Sequence, residues 1–216
     1  MSAGAVYVFT RDTAGLWSQQ AYVKASNTNL ADFFGSAVAL WGDTLAVAAS
    51  GEASIVGGIN GDQTNNAGGN VGAVYVLVRD MAGGWSQQAY IKASNPDSGD
   101  YFGYYGGLSS WENTLVVAAW NESSAATGIN GDQLSNARIS SGATYAFIRD
   151  ANGAWVQHVY IKASDGENYA GFGYAVGAWG DTLVSGAVYQ DKGGKGINPP
   201  LGGTSAFNSG SSYFFK

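Results

Sequence analysis

The chain is built of short apolar runs set between clusters of Gly, Asn, Asp and Ser. Ala5-Val6-Tyr7-Val8-Phe9 is a β-rich run closed by the polar turn Arg11-Asp12-Thr13-Ala14-Gly15. Trp17 to Ala25 then alternates apolar and polar positions as a half-exposed strand does, and its polar face predicts an outer, edge-like place. After the linker Ser26 to Asp32, Phe34-Gly35 opens a nearly unbroken small and apolar run to Leu40. A strand of Gly, Ala, Ser and Val approaches its neighbours closely, as the innermost strand of a radial arrangement must. Gly42-Asp43 fits a two-residue hairpin, and Thr44 to Ala49 is the returning strand. A Gly/Asn/Ser-rich loop of about twenty residues follows, a length that is usually functional or mobile in a compact domain.

This pattern recurs. Gly35, Gly103 and Gly173 stand 68 and 70 residues apart, whereas Trp41, Trp111 and Trp179 stand 70 and 68 apart. The run at Gly4 returns at Gly72, at Gly142 and, as Gly210-Ser-Ser-Tyr213-Phe214-Phe215, at the C-terminus. We divide the single domain into repeats at about 1–70, 71–140 and 141–208, with a terminal strand in 209–216. A fixed period of this kind marks units that bury their apolar faces only by stacking on one another. One unit reads as four antiparallel strands, which is a propeller blade, so the expected fold is all-β with three blade-equivalents.

Propellers typically carry four to eight blades, so three require a partner to close. The N-terminus offers the third and fourth strands of a blade and the C-terminus the first and second. Two chains joined head to tail would therefore make a six-bladed ring with two composite blades. The closing residues are Ala5, Val6, Tyr7, Val8 and Phe9 at one end and Tyr213, Phe214 and Phe215 at the other. Ser211 to Phe215 is then surplus, because it duplicates the third strand. The alternative is a fragment of a longer single-chain propeller, and a start inside a repeat motif reads as an excised segment.

Phe-Gly at the head of the unit, Gly-Asp before Leu-Ala-Val-Ala-Ala and then Gly-Ala-Val-Tyr-Val resemble the FG-GAP repeats of integrin-α-like β-propellers, in particular their bacterial extracellular relatives. The resemblance covers essentially the whole chain. It implies a non-catalytic extracellular or envelope-associated module for adhesion or assembly. A carbohydrate-binding propeller and a purely structural self-assembling subunit are the alternatives. In the integrin-type repeat a calcium loop lies between the first two strands; here that place holds only Trp41-Gly42-Asp43-Thr44 and its equivalents. A hard cation wants six to eight oxygens, so calcium, though possible elsewhere, is not carried over, and no cofactor is expected.

Composition narrows the function classes. The net charge is −6 and the ten Lys and Arg are scattered, which argues against nucleic acid as a partner. No apolar run reaches the length of a membrane span, and no cysteine is present for disulfides or thiolate metal sites. The one histidine, His158, stands where the other repeats have Gln20 and Gln88, a polar outer-strand position rather than a triad base. Asp32 and Asp100 precede Phe-Gly in two units without a third counterpart, and Asn121-Glu122-Ser123 is an isolated sequon.

In an up-and-down blade the long loops share a face with the linkers, and loops on a rigid scaffold carry binding. Two candidate sites for a protein or glycan ligand lie there. The first is Asn60 and Asp62 in Gly58-Ile59-Asn60-Gly61-Asp62-Gln63, repeated as Asn130 and Asp132 and eroded to Gly196-Ile197-Asn198-Pro199. It gathers oxygens for a cation or sugar, or else Ile59 plugs the loop into its blade while Asn-Gly turns and Asp caps amides. The second is aromatic: Trp120, where the other copies have Ser50 and Val188, with Tyr101 and Tyr104-Tyr105 nearby. Rings beside amides suit the apolar face of a sugar; the competing reading is packing between blades.

Overall fold

A computed structural model describes residues 2–199 and 206–216; part of the third long loop lies outside them. The described residues form fourteen strands and no helix. β1 (Val6–Arg11) and β2 (Trp17–Val23) make a two-stranded hairpin. β3 (Phe34–Trp41), β4 (Thr44–Ala49), β5 (Ala73–Arg79) and β6 (Trp85–Ile91) make a complete antiparallel blade in that order. The next blade is β7 (Leu108–Trp111), β8 (Thr114–Ala119), β10 (Ala143–Arg149) and β11 (Trp155–Lys162), with β9 (Gly128–Ile129) added outside β11. The last sheet is β12 (Phe172–Trp179), β13 (Thr182–Ala187) and β14 (Ser211–Phe215), with three strands among the described residues.

The alternation of β4 shows why both faces of an inner strand must be apolar. Leu45, Val47 and Ala49 pack toward the hairpin with Val23 and Phe34, whereas Ala46 and Ala48 pack toward the second blade with Leu115 and Val117. The core is thus a series of apolar layers between successive sheets. Each layer is pinned by the same contact, an edge-to-face pair of Phe and Tyr: Phe34 on Tyr75, Phe102 on Tyr145 and Phe172 on Tyr213, at centroid distances of 5.4, 5.4 and 5.3 Å.

The Gly before each Ala/Ser-x-Tyr run is required by close approach. Gly4, Gly72 and Gly142 adopt φ of +83°, +88° and +81°, and a Cβ there would lie 2.0, 2.2 and 2.0 Å from the carbonyl oxygen of Phe34, Phe102 and Phe172. The Gly and Phe-Gly motifs are therefore two sides of one inter-sheet contact, in which Phe34, Phe102 and Phe172 donate their amides to the carbonyls of Ala3, Val71 and Ser141.

The three inner hairpins turn at Gly42-Asp43, Glu112-Asn113 and Gly180-Asp181 as expected, each closed by a Trp–Thr pair. Their tryptophans form a ladder: Trp41 to Trp111 is 4.0 Å between ring centroids and Trp111 to Trp179 is 3.8 Å. The middle copy departs from expectation at its first strand. β7 begins only at Leu108, because two extra residues between Gly103 and Trp111 push Tyr104-Tyr105-Gly106-Gly107 out of the ladder. The third-strand position of the last sheet, which the dimer expectation offered to a partner's Ala5 to Phe9, is held in cis by Tyr213, Phe214 and Phe215.

Candidate functional site

The Gly-Ile-Asn-Gly-Asp-Gln loops fold back onto the outer strands. Ile59 bridges Ile91, and Gly128–Ile129 pairs with Ile161 and Lys162. Asn60 donates its amide to the Tyr90 carbonyl at 2.7 Å, and its side-chain Oδ1 accepts from the Tyr90 amide at 2.9 Å; Asn130 and Tyr160 repeat this at 2.7 and 3.0 Å. Both asparagines have positive φ, +56° and +54°, which Asn tolerates. Asp62 Oδ1 accepts from the Thr64 amide and hydroxyl, and the hydroxyl bond foremost holds its carboxyl below the ordinary range. Asp132 Oδ1 accepts from the Leu134 amide. Gln63 and Gln133 accept from Ser26 and Ser94 of the preceding linkers. The structure thus places Asn60 and Asn130 in loop-to-blade contacts at the rim, whereas the Asp62 and Asp132 carboxylates bond within their own loops. Among the described residues, no three His, Asp or Glu lie together as a metal site.

Beneath these loops lies a buried polar cluster that the sequence reading did not identify. Lys92 Nζ donates to Glu52 Oε2 at 2.7 Å, and Lys162 Nζ to Glu122 Oε2 at 2.6 Å, all four side chains at most 1% exposed. Burial pulls both lysines below their ordinary range, against the opposing attraction of the glutamates. Tyr75 and Tyr145 donate to Asn27 and Asn95 of the linkers, and burial raises both phenols. Asp32 and Asp100 lie alongside, 2% and 5% exposed. Desolvation raises both, Asp100 to about 7, although the Asp97 amide bonds its carboxylate. In the last sheet the set changes: Gln190 replaces Glu, Asp165 replaces Asn, and Tyr213 donates to Asp165 at 2.5 Å. The signal in the sequence is the recurrence of Lys24, Lys92 and Lys162 after Tyr-x in a chain with few charges.

The predicted aromatic residues do come together. Tyr101 stacks on Trp120 with centroids 6.0 Å apart and planes 25° apart, and Tyr104 lies 5.9 Å from Trp120 and 5.4 Å from Tyr101. Tyr174 closes on the other edge of Trp120 at 5.9 Å and leads to Tyr189 at 5.9 Å. The two extra residues of the middle copy place Tyr104 and Tyr105 in this cluster, and desolvation followed by the surrounding tyrosines raises the Tyr104 phenol. Position 171 reverses an exchange of sizes. Phe33 packs against Gly51 in the first blade, whereas in the third Gly171, at φ +63°, lies against the Tyr189 ring.

Between the second and third blades the cluster opens into a cleft of about 460 Å³ lined by Trp120, Asn121, Ser140, Asn168, Tyr169, Tyr189, Asp191, Phe207 and Asn208. Tyr101 and Tyr104 are not on its wall; they back Trp120 from behind. Tyr169 and Phe207 are 60% and 84% exposed, and the Trp120 Nε1 is buried with no hydrogen-bond partner among the described residues. Aromatic faces beside the Asn168 and Asn208 amides and the Ser140 hydroxyl make a surface for a ligand that is apolar on one side and hydroxylated on the other. Tyr169, Tyr189 and Phe207 were not foreseen, because they occur once each and meet only when two blades are juxtaposed.

Antiparallel sheets stacked through their faces, with small-residue inner strands and long loops on one side, define a propeller-like repeat protein. The model of the FG-GAP repeat matches residues 17–77 and 155–215, and the chain belongs to the FG-GAP repeat family. Each match runs from an outer strand to the third strand of the next sheet; the middle copy, with its two extra residues, lies between them. Comparison with curated proteins finds no match.

Proposed function

We propose that the chain is a non-catalytic interaction module for adhesion or assembly, acting outside the cell or at its envelope and recognising its partner on the long-loop face. The aromatic cleft at Trp120 carries this reading, since it sets exposed rings on the long-loop face, where Asn60, Asp62, Asn130 and Asp132 are engaged in hydrogen bonds within the chain. FG-GAP repeats suggest an adhesion or interaction type of module. His158 stands exposed on β11, and no helix among the described residues is long and apolar enough to cross a membrane.

A second reading, carbohydrate binding, is favoured by the pairing of exposed rings with the Asn168 and Asn208 side-chain amides in that cleft. A glycan array probed with the wild type and with Trp120→Ala separates the two. Binding to a defined set of glycans that the variant loses establishes the saccharide reading. No binding on the array, with retention of a proteinaceous envelope ligand that Trp120→Ala weakens, supports the first. Wild type and variant that behave identically toward every ligand overturn the cleft as the recognition site.

A further inference from the structure

We propose that the Trp120 cleft receives a quaternary ammonium group, the trimethylammonium of a choline-type ligand. The inference rests on the reading of that cleft as the recognition surface and adds the chemistry of what enters it.

The cleft gathers rings from three stretches of chain. Trp120 follows β8, Tyr169 precedes β12, and Tyr189 and Phe207 belong to the third long loop. Tyr169, Tyr189 and Phe207 are 60%, 42% and 84% exposed, so their rings are open to solvent. Trp120 and Tyr189 converge over Gly171, where a Cβ would meet Tyr189 Cδ2 at 3.2 Å and Trp120 Cε3 at 3.8 Å. The other two blades carry Phe33 and Tyr101 at this position, and only the third leaves bare backbone between the rings. Tyr174 lies edge-on to both at 5.9 Å and braces them.

Charge sets the sign of the ligand. Asp191 is the one charged side chain on the wall, and no Lys or Arg lines it among the described residues. Its Oδ1 accepts from the backbone amide of Asn208 at 2.6 Å, which holds the carboxylate in place, and the neighbouring Lys192 is turned to Glu167 at 3.6 Å. A carboxylate beside exposed rings attracts a cation, because the face of each ring is the negative pole of its quadrupole. The fold uses this contact elsewhere: Arg11, Arg79 and Arg149 lie 5.8, 5.6 and 5.4 Å from the ring centres of Trp17, Trp85 and Trp155. Among the described residues no such cation covers Trp120, Tyr169, Tyr189 or Phe207.

The kind of cation follows from what the wall lacks. A calcium ion needs six to eight oxygens, which one carboxylate does not supply. A primary ammonium is compact and strongly hydrated, and ring faces satisfy its three donors poorly. A trimethylammonium group has no donor and packs its methyls on ring faces. The Asn168 and Asn208 side chains and the Ser140 hydroxyl, on the same wall, are left for the hydroxyl or phosphate oxygens that a choline carries.

Calorimetric titration of the full chain with choline tests this, with its neutral tert-butyl analogue and with ethanolamine, the unmethylated cation, as comparisons. Choline should bind, and both comparison compounds should bind about tenfold or more weakly. These three titrations use the wild type and need no variant to fold. Asp191→Asn should weaken choline about fivefold and leave the tert-butyl analogue unchanged, whereas Tyr189→Leu should weaken choline about tenfold. Vesicles of phosphatidylcholine that capture the chain and release it to free choline identify a lipid headgroup as the source; binding of free choline alone identifies a soluble ligand. Failure of choline to bind overturns the inference, as does equal binding of either comparison compound or an Asp191→Asn chain that binds choline as well as the wild type. The cleft as recognition surface survives that result if Trp120→Ala still weakens a glycan or envelope ligand, and falls with it if the variant behaves as the wild type.

Discussion

Lys162 Nζ lies 2.6 Å from Glu122 Oε2 with both side chains 1% exposed, and the pair is repeated by Lys92 and Glu52 one blade earlier. Removing one member of such a pair strands a charge, whereas removing both does not. Lys162→Met should cost about 3–5 kcal/mol in urea denaturation, and adding Glu122→Gln should recover at least half of it. A neutral Lys162→Met would show that the pair contributes nothing.

Asp100 gives the fold a pH dependence of unusual sign for a carboxyl. Its folded pKa is about 7, above the ordinary 3.8, so the folded state holds the proton more tightly than the unfolded chain. Its contribution is fully present below the unfolded pKa and is lost as pH rises through the folded one. Between about pH 4 and 7 the wild type should lose stability relative to Asp100→Asn, by at most about 4 kcal/mol. The difference between the two melting curves isolates this group; a gap that stays constant with pH would refute it.

Asn130 combines a positive φ with a side-chain bond to the Tyr160 amide. Asn130→Gly keeps the backbone conformation and loses only the bond, about 1 kcal/mol, whereas Asn130→Ala loses both and should cost about 1 kcal/mol more. Equal effects of the two would mean that the backbone conformation carries no strain.

Chelation should leave the melting temperature within about 2 °C, because Asp62 and Asp132 are already bonded to their own loops. A cation at a hundredfold its dissociation constant would contribute about 2.7 kcal/mol, enough to move the midpoint by several degrees. A drop of that size would place a metal in these loops.

The repeat made the blade legible: the small residues from Gly35 to Ala39 and the Trp–Thr hairpins became the strands and turns their patterns demand, whereas the run from Trp17 forms the outer strand but its first four residues are all exposed rather than alternating. Recurrence in threes is a strong signal. The aromatic cluster was partly legible, because Trp120 breaks the repeat and the 68/70 offset marks the insertion beside Tyr104. Tyr189 and Phe207 carry no such mark; only the juxtaposition of two blades gives them a neighbour. The Glu52–Lys92 pair escaped because its members are 40 residues apart and each looks like an isolated surface charge. For Asn60 and Asp62 the sequence allowed a ligand set or a loop anchor; in the structure Asn60 bonds the Tyr90 backbone and Asp62 caps the Thr64 amide of its own loop.

The two-residue strand Gly128–Ile129 has a consequence beyond its own blade. An open outer edge is a template on which further chains can pair and grow into fibrils. By lying along Ile161 and Lys162, this short segment removes that template from the second blade, and Ile59 does the same for the first through Ile91. The outer edges of both complete blades are covered in this way, so Asn60 and Asn130, which hold the covers in place, act as solubility determinants of those blades.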